Sequence, residues 1–266
     1  MKRKGDCVLL RKNNVKQRLL DGKTVIGSFS KLADPSAIEI MGLAGLDFFV
    51  IDNEHVAMNK ESITNLVRAS DITEIVPIVR VKENNASEIL QALDCGALGV
   101  HVPNIDTYEE ALRAIRSTKY IPQGNRGFAL SHRAAGYGFY DKDDYLKRVN
   151  QEILTVLHCE TLESVDNLDK ILDLEDLDVI FIGPMDLSQS MGSDVMGNGT
   201  HPNLVELKKK IIQKVIEAGK VVGTVAGNVQ EAKELMELGV RYIPISSDQG
   251  MIATVSKQIV HECIMD

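Results

Sequence analysis

Two short apolar runs that end in carboxylates are the strongest chemical signal in this chain. Thr155-Val-Leu-His-Cys-Glu160 closes on Glu160, and Asp178-Val-Ile-Phe-Ile-Gly-Pro-Met-Asp186 closes on Asp186. Runs of this length, rich in Val, Ile and Leu, read as fully buried parallel strands. A carboxylate just past such a strand suits a core poorly and a strand mouth well. The stretch between them, Ser164 to Leu172, has a helical pattern. One strand–helix–strand unit therefore sets Glu160 and Asp186 side by side. Two adjacent hard oxygen ligands suit Mg²⁺ or Mn²⁺, with water and substrate completing the shell. The competing reading makes the pair a helix cap and a loop turn.

Further charged groups fall at similar places. Asp52, Glu54 and His55 follow the apolar run Asp47-Phe-Phe-Val-Ile, and Arg80 ends Ile75-Val-Pro-Ile-Val. A histidine there has the ordinary pKa of a general base; the alternative is a surface histidine held by its loop. A guanidinium can grip a carboxylate or stabilise a developing enolate oxygen. A structural salt bridge from Arg80 to Asp52 or Glu54 competes with that role. Asp94, before Cys95-Gly96, either orients a histidine or serves the turn. His101 reads as a packed strand histidine. His158, two residues before Glu160, shares its face of the strand, as a ligand or a supporting group. Pro122-Gln-Gly-Asn-Arg-Gly127 reads as an anion-binding loop or a lid, and Tyr137, Tyr140 and Tyr145 in the same insertion as a subunit contact.

These side chains need elements to hold them. Apolar runs predict strands over 24–29, 47–52, 75–80, 98–103, 153–160, 178–183, 220–225 and 241–246, with amphipathic stretches between them. Strict alternation implies a parallel sheet, and eight repeats in a chain of this length are what a (β/α)₈ barrel needs. The strand ends fall near Ser28, Asp52, Arg80, Pro103, Glu160, Asp186, Val225 and Ser246. Two steps are long, which places insertions near 120–144 and 188–202 and leaves residues 1–21 as an N-terminal extension of a single domain spanning 1–266. An open doubly wound sheet is the alternative, but no glycine-rich phosphate turn follows the first strand.

Composition narrows the field. The chain has 266 residues, 44% hydrophobic and 26% charged, which is ordinary for a globular domain. A net charge of −8 argues against a general nucleic-acid binder, despite the basic opening Met1-Lys-Arg-Lys. Val8-Leu-Leu10 is too short for a signal-peptide core, and no run approaches a membrane span, so a cytoplasmic protein that contacts neither nucleic acid nor membrane is expected. Cys7, Cys95, Cys159 and Cys263 are scattered without metal spacing, as reduced thiols would be. Cys159, beside Glu160, is expected to be buried and inert.

In their order along the chain, Asp52-Asn-Glu-His55, Val79-Arg80, Leu93-Asp94-Cys-Gly96, Pro122-Gln-Gly-Asn-Arg-Gly127, Glu160-Thr161 and Phe181-Ile-Gly-Pro-Met-Asp-Leu-Ser188 resemble the HpcH/HpaI aldolase family. The resemblance runs from about Gly22 to Asp248. It implies a (β/α)₈ TIM barrel of the phosphoenolpyruvate/pyruvate type, assembled as a hexamer or trimer of dimers. It implies a class II aldolase that cleaves a 4-hydroxy-2-oxo acid to pyruvate, or a close 2-oxo acid, and an aldehyde. By this resemblance Glu160 and Asp186 hold a divalent ion (Mg²⁺ or Mn²⁺, with Co²⁺ also accepted). Gly183, Pro184, Met185 and Asp186 cradle the substrate carboxylate, Arg80 stabilises the enolate, and His55 assisted by Asp94 handles protons. His158, Val56 and Met185 depart from the family's usual Gln, Gly and small residue, and Phe29 stands near its usual Trp. These departures bear on the aldehyde partner. A citramalyl-CoA or malyl-CoA lyase-like reaction, and a barrel that binds 2-oxo acids without catalysis, are the alternatives.

Overall fold

The computed structural model describes residues 11–264, so Cys7, Val8-Leu-Leu10 and the basic opening Met1-Lys-Arg-Lys lie outside the described residues. Eight parallel strands pair in chain order and close into one barrel, with β1 beside β8. They are β1 (Val25–Ser30), β2 (Phe48–Asp52), β3 (Val76–Arg80), β4 (Gly99–Val102), β5 (Leu154–Cys159), β6 (Val179–Ile182), β7 (Val221–Thr224) and β8 (Tyr242–Ser247). The closed (β/α)₈ architecture is the one that the alternating pattern predicts.

Helices alternate with them: α1 (Asn14–Leu20), α2 (Pro35–Leu43), α3 (Lys60–Ala69), α4 (Ala86–Asp94), α5 (Tyr108–Thr118) and α6 (Lys142–Glu152). The second half adds α7 (Leu162–Asp166), α8 (Leu168–Leu172), α9 (Pro184–Ser190), α10 (Pro202–Glu217), α11 (Val229–Glu237) and α12 (Asp248–Ile264). Their starts are written locally. Asp34, Asn59, Asn85, Asp141 and Asn228 each accept a hydrogen bond from a first-turn N–H, and Thr107 with Glu110 forms a reciprocal capping box. Each such cap contributes about 1 kcal/mol. Pro35, Pro184 and Pro202 occupy first helical positions, where the missing N–H costs nothing.

Two features differ from the sequence reading. The helix expected over 164–172 is two short helices, because the chain breaks at Asn167, whose amide donates to the Asp106 carbonyl at 2.9 Å. The insertion near 120–144 leads into α6, and the loop at 188–202 follows the added helix α9.

Burial follows the strand alternation. Phe49, Ile51, Val79, Val100, Leu157 and Ile180 point outward and pack beneath the helices. Phe48, Val50, Ile78, Val156, Phe181 and Tyr242 fill the barrel. Gly223 makes room for these rings, since a Cβ there would sit 2.9 Å from Tyr242 and 3.2 Å from Phe181. Helix α1 plugs the floor. Its Val15 and Leu19 join the interior cluster, and Lys16 ties it to the Ile153 carbonyl and Asp178. With the floor closed, the open mouth lies at the strand C-termini. No helix among the described residues is long and apolar enough to cross a membrane.

Candidate active site

The C-terminal ends of the strands surround a 450 Å³ cavity. Phe29, Lys31, His55, Arg80, His158, Glu160, and the turn from Gly183 through Asp186 line it. The sequence-predicted residues thus meet, with the exception of Asp94.

Arg80 is locked from beneath. Its Nε donates to Asp52 Oδ1 at 3.1 Å, Nη2 lies 2.8 Å from Asp52 Oδ2, and Nη1 lies 3.1 Å from Glu54. The guanidinium also stands 5.0 Å over the Phe29 ring. The salt bridge is therefore real, but it does not exhaust the group. A guanidinium has a second N–H on each terminal nitrogen, and Arg80 remains part of the cavity wall. Asp52 is fully buried and also accepts the backbone N–H groups of Glu54 and His55. Burial raises its pKa, but the Arg80 hydrogen bond and charge, the His55 N–H and Lys31 hold it below the usual value.

Glu54 responds differently. Burial, joined by the negative field of Glu160, pushes its carboxyl above the ordinary range despite Arg80. His55 is exposed beside it, with Nε2 3.7 Å from the Glu54 carboxylate. Glu54 is thus the nearest acid to His55. Asp94 sits elsewhere: its carboxylate holds Arg126 at 2.7 Å and lies 3.5 Å from His132, and no bond joins it to His55 among the described residues. Arg126 is committed to that pair and to the face of Tyr120, at 4.7 Å, which leaves its loop a structural strut.

Glu160 is buried and held on both oxygens. The backbone N–H of Asn104 donates to Oε1 at 2.8 Å, and His158 Nδ1 lies 2.9 Å from Oε2. Asn104 adopts a left-handed φ of 54°, a conformation that asparagine tolerates better than most residues. Burial alone would raise the Glu160 pKa, but His158, the Asn104 N–H and Arg80 hold it low. Gly183 is required beside it, because a Cβ there would meet Glu160 Oε2 at 2.5 Å. Gly183 opens α9 without a side-chain cap, so the first-turn N–H groups of Met185 and Asp186 are not met by a side chain of their own helix. Asp186 is exposed and has no hydrogen bond or ion pair among the described residues.

Among the described residues no group of three or more His, Cys, Asp or Glu side chains gathers around a metal position. A divalent ion in this cavity would draw on two carboxylates, Glu160 and Asp186, which line the same wall. That set fits the group. Each Glu160 oxygen accepts one hydrogen bond and keeps a further lone pair, Asp186 is free, and hard divalent ions accept several water or substrate oxygens.

Other residues behave as the sequence suggests or were not legible from it. Cys159 is buried and its thiol is pushed up to about 11 by burial, as an inert thiol would be. His101 is a buried strand histidine. Lys31 and Asp248 escaped notice. Asp248 accepts the N–H groups of Lys31 and Leu32 and tethers the β1 end, which sets Lys31 3.5 Å from Asp52. Only barrel closure brings these ends together, so no local spacing announces them.

Comparison with known proteins finds relatives over nearly the whole chain. The model of the HpcH/HpaI aldolase/citrate lyase family matches residues 25–254. A 5-keto-4-deoxy-D-glucarate aldolase from Citrobacter koseri is 33% identical over 247 residues, covering 93% of this chain and 95% of that protein. The crystal structure of a family protein from Burkholderia cenocepacia superposes with a TM-score of 0.88 at 31% identity, covering 94% of this chain and 98% of the other. The citrate synthase SbnG matches at a TM-score of 0.83 and 30% identity, over 93% and 96% of the two chains. The chain belongs to the HpcH/HpaI aldolase/citrate lyase family and is an enzyme of the aldolase, carbon–carbon lyase kind.

Proposed function

We propose that this enzyme is a divalent-metal-dependent aldolase that cleaves a 4-hydroxy-2-oxo acid to pyruvate, or a close 2-oxo acid, and an aldehyde. The observation that carries the reading is one cavity wall that unites Glu160, Asp186, Arg80 and His55. Glu160 and Asp186 would hold Mg²⁺ or Mn²⁺, with Co²⁺ an accepted substitute. The ion supplies Lewis acidity toward the oxygens of the 2-oxo acid.

The chain's own residues account for the remaining chemistry. The turn from Gly183 to Asp186 receives the substrate carboxylate. Arg80, fixed by Asp52 and Glu54, presents positive charge where the keto oxygen gains negative charge. His55 takes the C4 hydroxyl proton as the C3–C4 bond breaks, and returning that proton to C3 of the enolate completes pyruvate and frees His55 for the next turnover. Within one chain Glu54, rather than Asp94, stands beside His55.

The working form is a homo-oligomer in this reading. Helix α12 exposes Ile252, Val255, Ile259 and Val260, an apolar surface that a second copy would cover. Unpaired Cys95, Cys159 and Cys263 suit a reducing cytoplasm. The reading is tested by offering short 4-hydroxy-2-oxo acids and measuring released pyruvate. Activity removed by chelator and restored by Mg²⁺ or Mn²⁺ supports it, and pyruvate release that chelation leaves unchanged contradicts it.

A further inference from the structure

A line of hydrogen bonds runs from the candidate metal ligand Glu160 down through the barrel. His158 Nδ1 lies 2.9 Å from Glu160 Oε2, and His158 Nε2 lies 3.0 Å from His101 Nδ1. His101 Nε2 lies 2.8 Å from the Tyr242 hydroxyl. His158, His101 and Tyr242 come from three strands, β5, β4 and β8, and each is at most 2% exposed. The mechanism above assigns none of His158, His101 or Tyr242 a task.

Proton counting gives the line a direction. An ionised Glu160 only accepts, so His158 Nδ1 must carry a proton. A neutral His158 then presents Nε2 as an acceptor, which requires the proton of His101 on Nδ1. His101 Nε2 is left as an acceptor, and the Tyr242 hydroxyl donates to it. Every group is satisfied in this polarity. The reverse polarity takes the proton from His158 Nδ1 and sets a bare nitrogen against a carboxylate. The Tyr242 hydroxyl has no other hydrogen-bond partner among the described residues, so its proton lies toward His101. Burial, with His158 and Arg80 nearby, holds the His101 pKa well below the ordinary value, and burial lifts that of Tyr242 well above it, so both stay neutral.

Tyr242 is the far end of the line, and its hydroxyl bonds only to His101 among the described residues. Its ring is fixed by stacking on Phe48 with centroids 4.3 Å apart. Removing its hydroxyl leaves His101 Nε2 without its donor and loosens the support that His101 gives the His158 ring. We propose that Tyr242, acting through His101 and His158, is a positioning residue: it holds the His158 ring in place against Glu160 and so sets the orientation in which Glu160 meets a divalent cation. The inference rests on the metal role given to Glu160 above.

Binding of Mn²⁺ to the full-length, metal-stripped protein tests it without turnover, with free Mn²⁺ counted by electron paramagnetic resonance. Tyr242→Phe keeps the ring and loses only the hydroxyl. It is expected to bind Mn²⁺ about tenfold more weakly, the scale on which groups that orient a metal ligand act. His158→Leu is expected to lose about 100-fold, and His158→Gln, with a donor and an acceptor on one head, to bind within about threefold of wild type. The His158 pair tests the line even if Tyr242→Phe folds poorly. Imidazole ¹⁵N shifts should show Nδ1 protonated on both histidines in wild type, and in Tyr242→Phe a shifted His101 Nε2 signal that reports the lost donor. Wild-type affinity in a folded Tyr242→Phe overturns the inference alone, as does equal binding by His158→Leu and His158→Gln. A folded wild type that fails to bind Mn²⁺ overturns the metal reading itself and this inference with it.

Discussion

At the scale of single residues, the site is built by anchoring its reactive groups to buried partners. Arg80 is the clearest case. Asp52 and Glu54 fix its plane, and the free edge is left to the cavity. Arg80→Ala is expected to lower kcat by about 10²–10³-fold, the usual effect of removing one fixed donor to a developing oxyanion; steady-state kinetics of pyruvate release measures it. The anchor itself can be tested by stability. Asp52→Asn leaves a buried cation with a weakened partner and is expected to cost about 3 kcal/mol at neutral pH. The sign of its pH dependence follows from the lowered Asp52 pKa. A depressed carboxyl stabilises the fold above its unfolded value, near pH 3.9, and loses that contribution as the pH falls through the lower folded value. Denaturant titrations should therefore show the gap between wild type and Asp52→Asn wide at pH 7 and closing below about pH 4.

At the scale of elements, the proposed metal ligand Glu160 depends on close packing between the ends of β5 and β6. Gly183→Ala is the direct test. The backbone φ there is −89°, so alanine meets no conformational penalty. Its methyl would instead displace the Glu160 carboxylate. Mn²⁺ affinity and activity are expected to fall together by at least about tenfold, while the melting temperature moves only a few degrees. Most of this level is legible in the sequence. Apolar runs such as Asp178-Val-Ile-Phe-Ile place strand ends to within a residue or two, and the carboxylate after each run places the mouth. The break at Asn167 is not legible, because it answers to a carbonyl on another βα unit. The Tyr242–His101–His158 line is equally hidden, since residues from β8, β4 and β5 meet only after closure. Asp94 shows the limit of residue type: an acid at a helix end reads equally well as a catalytic aid and as the anchor it is for Arg126.

At the scale of the whole molecule, a barrel closed below by α1 and open above leaves one long helix without an internal partner. From Met251 onward, every described residue of α12 is exposed. An Ile252→Glu/Ile259→Glu double variant is expected to sediment as a smaller species than wild type while keeping its barrel circular dichroism; equal sedimentation would assign that face no role in assembly. The central claim is that Glu160, Asp186 and Arg80 form a site that enolises a 2-oxo acid. It is met most directly by pyruvate exchange, which needs no knowledge of the aldehyde. Metal-stripped protein is incubated with pyruvate in D₂O, Mg²⁺ is added, and loss of the methyl proton signal is followed by NMR. Exchange that depends on Mg²⁺ and falls by about 100-fold or more in Glu160→Gln and Arg80→Ala is the predicted result. A folded, Mg²⁺-loaded wild type that leaves the methyl protons in place would contradict it.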